Sequence, residues 1–338
     1  MLTRVCLTVD VEFSIAGAFA DAAREPVADA LVWCRVDGRS EGLGFLLDCC
    51  ERHCIPATFF VEALQRNYFR DDPMHAIVGR IHAAGHDIEL HVHPCWSVFR
   101  HGDWRRRVAE TPRQDDFFGR TEDDTLALVR QGQQAFSDWR LAPPQVFRSG
   151  SLQHDDQLYR ALAKAGIGVS SNVGMAIFDS GDPAYCLYSG RHRRHGVVEC
   201  PVLTFSDWQV GGYRHLKSLT IAGTSFAEMR VLLEKANRAG IEQVVILSHP
   251  FEYVQSRDAS FQHLRRHSVN QRRLSELCAY LDQHRERFLP CGLRAAAGAP
   301  HGGDEERNTL LYGSSWHSAR RMATQVAYDH YGRWALER

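Results

Sequence analysis

Strand-like and helix-like segments alternate along this 338-residue chain. That alternation predicts an α/β fold of parallel strands wrapped by helices. Two further observations agree. "VVIL" (244–247) is apolar at every position, as a strand covered on both faces should be. Apolar residues make up 44% of the chain, enough for one large domain or two smaller ones.

The elements follow in order. "RVCLTVDVE" has the β-branched content and period-two polarity of a strand. "EGLGFLLDCCERHC" (41–54) has helical spacing, and "PATFFVEA" (56–63) is a second strand. "PMHAIVGRIHAAG" (73–85) opens near a proline and closes on a glycine, the expected asymmetry of a helix. "HDIELHVH" is the third strand, followed by a polar stretch to about Arg120. "TEDDTLALVRQGQQAFSDW" starts with a Thr cap and acids in its first turn, as helices do. Strand "QVFRSGS", helix "DDQLYRALAKAG" and strand "IGVSS" come next. The pattern loosens over 172–196 and resumes with strand "VVECPVLTF", helix "TSFAEMRVLLEKANRAG", strand "QVVILSHP" and helix "SVNQRRLSELCAYLDQHRE". The Ala-, Gly- and charge-rich stretch 294–308 reads as a linker. Residues 309–338 then form a helical extension, and 1–293 the main domain.

A net charge of −1 carries no nucleic-acid footprint. The sharpest basic cluster, "RHRRH" (191–195), reads as a solvated loop, with a strip for an anionic substrate group as the alternative. Ten cysteines without a CxxC pair or regular spacing argue against a disulfide framework. No segment has the length of a membrane span, and no leader pattern opens the chain, so a cytoplasmic location is expected.

The chemistry concentrates in "LTVDVE" (7–12) and "ELHVHP" (89–94). Residues two apart on a strand point the same way. Asp10 and Glu12 therefore share a face with Thr8, and Asp87, Glu89, His91 and His93 share another. Both faces reach the C-terminal ends of their strands, where parallel β/α folds collect reactive groups. An isolated HxH or DxE is usually structural. Together they point to a hydrolytic metal site of two imidazoles and a carboxylate, with a second carboxylate free as general base. "FRSG" (147–150) and "ILSHP" (246–250) each add one ionisable group at a strand end. Arg148 needs a carboxylate partner there, and Asp10 is the choice. His249 is placed to give a proton to a leaving amine. A structural ion pair and a strand-end histidine are the bland readings of these two. The aromatics Trp96, Phe99 and Trp104 suit a loop packed by its own side chains better than a sugar platform.

The ordered set "LTVDVE", "PATFFV", "GHDIELHVHP", "FRSG" and "ILSHP" resembles the NodB-homology polysaccharide deacetylases, carbohydrate esterase family 4, over about residues 3–290. The resemblance implies a deformed (β/α) barrel and metal-dependent removal of an acyl group, usually acetyl, from an N-acylated sugar. It implies Asp10 as catalytic base, Arg148 as the group that orients it, and His249 as acid. "VLTFSDW" matches the family's substrate-pocket strand, which would place Asp207 and Trp208 near the sugar.

Two departures matter. Where the family has adjacent aspartates, Val11 intervenes here, so Glu12 is the candidate ligand. The family's second histidine position falls on Cys95, and His93 is the nearer substitute. The expected ligands are Glu12, His91 and His93, with Cys95 as the alternative to one of them. The expected ion is a divalent metal, zinc first. The expected substrate is an intracellular N-acetylated sugar, as a sugar nucleotide or a lipid-linked or glycan precursor. The alternatives are another metal-dependent amidohydrolase with an HxH site, or an inactive glycan-binding relic.

Overall fold

The computed structural model describes residues 2–110, 115–256, 258, 260–300 and 307–323. Its centre is a curled, largely parallel sheet. In chain order its strands are β1 (Thr3–Val11), β2 (Ala57–Glu62), β3 (Asp87–Val92), β4 (Val146–Ser149), β5 (Val169–Ser170), β6 (His192–Arg194) and β7 (Val197–Glu199). A hairpin of β8 (Thr204–Val210) and β9 (Tyr213–Ser218) follows, then β10 (Gln243–Ser248), β11 (Phe288–Pro290) and β12 (Leu311–Tyr312). The order across the sheet is β10-β1-β2-β3-β4-β5-β7-β6, and β11 pairs with the first residues of β1. Only the β6–β7 pair is antiparallel within it.

The curl brings the two sides of the sheet together. Leu203 N–H donates to Val245 O at 3.1 Å, and Ile221 N–H to Leu247 O at 3.1 Å, so the chain after β7 and after β9 covers the free edge of β10. The result is the deformed (β/α) barrel that the motif order implies. It also splits the expected strand "VVECPVLTF", because residues 200–203 leave β7 to reach β10.

Strand alternation divides the core in two. Val5, Leu7, Val9, Val11, Phe59 and Val61 face outward under the helices. Cys6, Phe60, Val146, Val245 and Leu247 face inward, where Leu293 and Ala296 join them. The outer helices are those the apolar spacing predicts: α1 (Leu43–Arg52), α2 (Met74–Ala83), α3 (Glu122–Asp138), α4 (Asp156–Ala165), α5 (Phe226–Arg238) and α6 (Ser268–Gln283). In α1, Leu43, Leu46, Leu47 and Cys50 are buried at i, i+3, i+4 and i+7, one stripe toward the sheet. All ten cysteines are free thiols. Trp96, Phe99 and Trp104 are buried and pack on one another and on Tyr68.

Two readings of the sequence need correction. "RHRRH" is not a solvated loop. Arg191 is 1% exposed and donates to the carbonyls of Ala296, Ala297 and Ala299, with Glu242 as its ion-pair partner at 3.0 Å. A buried guanidinium holds five donors that need acceptors, and helix-end carbonyls supply them. For the same reason residues 294–300 are anchored, and they begin inside a short helix, Leu293–Ala297. Residues 301–306 of the expected linker lie outside the described residues. Of the expected extension, β12 pairs with β8 and residues 315–323 are helical, while 324–338 lie outside the described residues.

Candidate metal centre and catalytic residues

Register brings the polar groups to one level. Glu62 on β2 lies opposite His91 on β3, and His91 opposite Arg148 on β4. Asp10 on β1 lies opposite Phe60. All of these side chains share the inward face near the C-terminal ends of their strands.

Glu12, His91 and His93 present one ligand atom each within 4.8 Å of one another. His91 Nδ1 lies 2.9 Å from the Arg148 carbonyl, which can only accept, so Nδ1 carries a proton and Nε2 is the atom turned to the site. His93 Nδ1 lies 2.9 Å from the Asp115 carboxylate. Both Nε2 atoms then face Glu12 Oε2, at 3.5 Å from His91 and 2.8 Å from His93. Burial opposes charge on His93, but Asp115 and Glu12 outweigh it and raise its pKa well above the ordinary imidazole value. Burial works to raise Glu12, but His93, His91 and His249 reverse it and hold the carboxyl well below its usual range. The site is thus built to keep positive charge between these three side chains. Two imidazoles oriented from behind and one carboxylate suit zinc or a neighbouring transition metal.

Cys95 belongs to a second group, with His93 and Asp115, on the other side of the His93 ring. Glu62 supports the same histidine from its backbone. It is fully buried, accepts the N–H of His93 and, at 2.6 Å, that of Leu64, and burial pushes its pKa up to about 7. Gly150 closes the fourth side: a Cβ there would run into the His93 ring at Nδ1. The glycine of "FRSG" is therefore needed for close approach.

Glu89 shares the inward face with His91 but serves β4 instead. It accepts the N–H groups of Gln145 and Val146 at 2.8 and 2.9 Å, and burial raises its pKa to about 7.

Asp10 stands beside the metal group without being part of it. Its Oδ1 accepts from Arg148 at 2.7 Å, and its Oδ2 accepts no hydrogen bond from the described residues. Arg148 is fully buried, lies over the Phe60 ring, and is satisfied by Thr8, Asp10 and both oxygens of Ser171. His249 Nε2 lies 3.9 Å from Asp10 Oδ2, and its Nδ1 donates to Glu252 at 3.0 Å. Burial works against charge on His249, but Glu252, then Asp10 and Glu12, outweigh it and raise its pKa to about 9. A cleft of about 360 Å³ opens onto Glu12 and His93, walled by Phe13, Ile15, Leu31, Trp96 and Phe251.

The structure thus brings together Asp10, Glu12, His91, His93, Arg148 and His249. Asp207 and Trp208 do not line this cleft. Asp207 is 2% exposed, paired with Arg321 at 3.1 Å and His215 at 2.6 Å, and Trp208 stacks on His215. Sequence reasoning missed Asp115, Glu62 and Glu252. Only Glu252, three residues after His249 in "SHPFE", left a local signal.

No family model and no curated protein matches the sequence. Solved structures are similar to it in fold. A Mycobacterium smegmatis protein described as a polysaccharide deacetylase is 18% identical, with 91% of this chain and 95% of that chain covered and a TM-score of 0.49. The chain resembles the polysaccharide deacetylases of carbohydrate esterase family 4. A family 4 carbohydrate esterase from Streptomyces lividans, solved with acetate, is 12% identical over 86% of this chain and 91% of that one, TM-score 0.41. A peptidoglycan N-acetylglucosamine deacetylase is 14% identical over 87% and 88%, TM-score 0.43. Among the described residues no helix is long and apolar enough to cross a membrane.

Proposed function

We propose that the protein is a metal-dependent N-deacetylase, a hydrolase of the amide bond of an N-acetylated sugar. One observation carries this reading: a two-histidine, one-carboxylate donor set lies beside a second carboxylate, Asp10, whose Oδ2 accepts no hydrogen bond from the described residues and faces His249 Nε2 at 3.9 Å. Glu12, His91 and His93 would hold a divalent ion, zinc first, whose Lewis acidity would polarise the amide carbonyl and acidify water.

The chain's own residues supply the rest. Asp10 Oδ2 takes a proton from the attacking water. Arg148 fixes Asp10 by its other oxygen, so the free lone pairs point into the site. Glu252 and Asp10 favour the protonated form of His249, and that proton would go to the leaving amine. Glu252 receives the Nδ1–H of His249 and keeps Nε2 turned toward the site. The apolar walls of the cleft exclude water from the acyl side. The sugar we favour is a cellular precursor, as a sugar nucleotide or a lipid-linked glycan. We further propose that residues 1–293 form the catalytic unit and that Asp207 and Trp208 act through the hairpin they stabilise.

Acetate release from N-acetylated sugars, measured before and after chelation, tests the proposal. Activity lost on chelation and restored by zinc supports it. Full turnover by metal-stripped protein would refute the mechanism.

A further inference from the structure

A second cavity, also about 360 Å³, lies between the N-terminus of α5, the first half of α6 and helical residues 315–323. Arg272, Arg273, His317, Arg320 and Arg321 line it, against one acid, Glu276. We propose that this cavity is a binding site for a phosphate or diphosphate ester.

Charge and an orphaned polar atom of the lining point the same way. Five basic side chains of the lining face one acidic side chain. Arg321 is matched by Glu228 and Asp207, both at 3.1 Å. Arg273 is held by neutral groups, Asn270 and the carbonyls of Ile221 and Ala222. Arg272 is exposed and makes no hydrogen bond or ion pair with the described residues. Lys217, half-buried nearby, has no hydrogen bond or ion pair with them either. Burial depresses the pKa of both Lys217 and Arg273; Arg321 lowers each further, while Glu228 pulls each the other way.

One buried polar atom of the lining, His317 Nδ1, lacks a hydrogen-bond partner among the described residues. Such atoms are rare in folded proteins and mark groups that another partner completes. The thirteen-residue helix α5 starts at the cavity, and its first turn is already closed by the Ser225–Glu228 capping box, so the arginines and not the helix end would hold the anion. Arginine forks are the usual means of holding phosphate oxygens.

The cavity stands at the catalytic end of the barrel. The chain enters α5 from the bridge between Thr220 and Leu247, one residue before the end of β10, which leads to His249. A phosphorylated substrate or a phosphorylated effector would fit this placement.

Calorimetric titration of the chelator-treated full chain with inorganic pyrophosphate, and separately with uridine diphosphate, tests the site without reference to turnover. Chelation removes the metal centre as a competing anion site, so failure here leaves the deacetylase reading standing. Saturable binding of one anion per chain is expected. It should weaken by about tenfold or more in the Arg272→Glu/Arg320→Glu double variant, and weaken with salt. The single variant Arg272→Ala should weaken it in the same direction and covers the case in which the double variant misfolds. Tighter binding of the nucleotide than of pyrophosphate identifies a nucleoside site, and equal binding a site for phosphate alone. No binding of either anion at millimolar concentration, or equal affinity in wild type and the Arg272→Ala variant, overturns the proposal.

Discussion

Glu252 accepts the Nδ1–H of His249 at 3.0 Å, three residues along the same turn. This contact contributes most to raising the histidine's pKa to about 9 against the effect of burial. In the metal-free protein the imidazole should therefore titrate near pH 9, and Glu252→Gln should move that titration toward the ordinary value. The sign follows from linkage. A pKa raised on folding contributes stability that is fully present below the unfolded-state value and is lost as pH rises through about 9. Histidine NMR titration of wild type and variant checks both statements. A wild-type value at or below the ordinary one contradicts them.

Arg148 and Asp10 form a pair in which neither side chain is more than 5% exposed. Arg148→Met leaves a buried carboxylate without its cation, and should cost on the order of 3–5 kcal/mol. Adding Asp10→Asn to that variant should restore part of the loss, since no charge is then left unpaired. Denaturant midpoints of the two variants decide it. A double variant no more stable than Arg148→Met would show that the arginine acts by packing.

Asp115 touches no reacting group in this account. It orients His93 from behind, so Asp115→Asn should weaken metal affinity by about 10–100-fold while leaving the fold intact. Competition with a chromogenic chelator measures this, and circular dichroism controls for folding. Unchanged affinity would mean that His93 needs no such support.

Gly150 tests the same packing from the opposite side. Gly150→Ala puts a methyl group where the His93 ring lies, so it should lower metal content without removing any donor atom. Metal analysis of the purified variant checks this.

The legibility of the sequence ended where periodicity ended. Asp10, Glu12, His91 and His93 could be read because a strand repeats every two residues, and a shared face follows from spacing alone. Arg148 and His249 could be read because an ionisable residue closes an apolar run. Asp115 lies in a polar stretch with no period, and only tertiary packing brings it to His93. Glu62 ends a strand whose other residues are all buried, and nothing local shows that its oxygens cap the turns after β2 and β3. The opposite error occurred at "RHRRH". Charge density suggests solvent there, but the carbonyls that bury Arg191 come from residues more than a hundred positions away. Asp207 looks like a pocket acid by its strand position, yet its partner Arg321 comes from the C-terminal segment.

The proposed catalysis requires one cation between Glu12, His91 and His93. Anomalous diffraction from zinc-loaded crystals tests this most directly. One peak is predicted within bonding distance of the Glu12 carboxylate and of Nε2 of both histidines, with Asp10 outside the coordination sphere. A peak between His93, Cys95 and Asp115 instead, or none at either place, would contradict it.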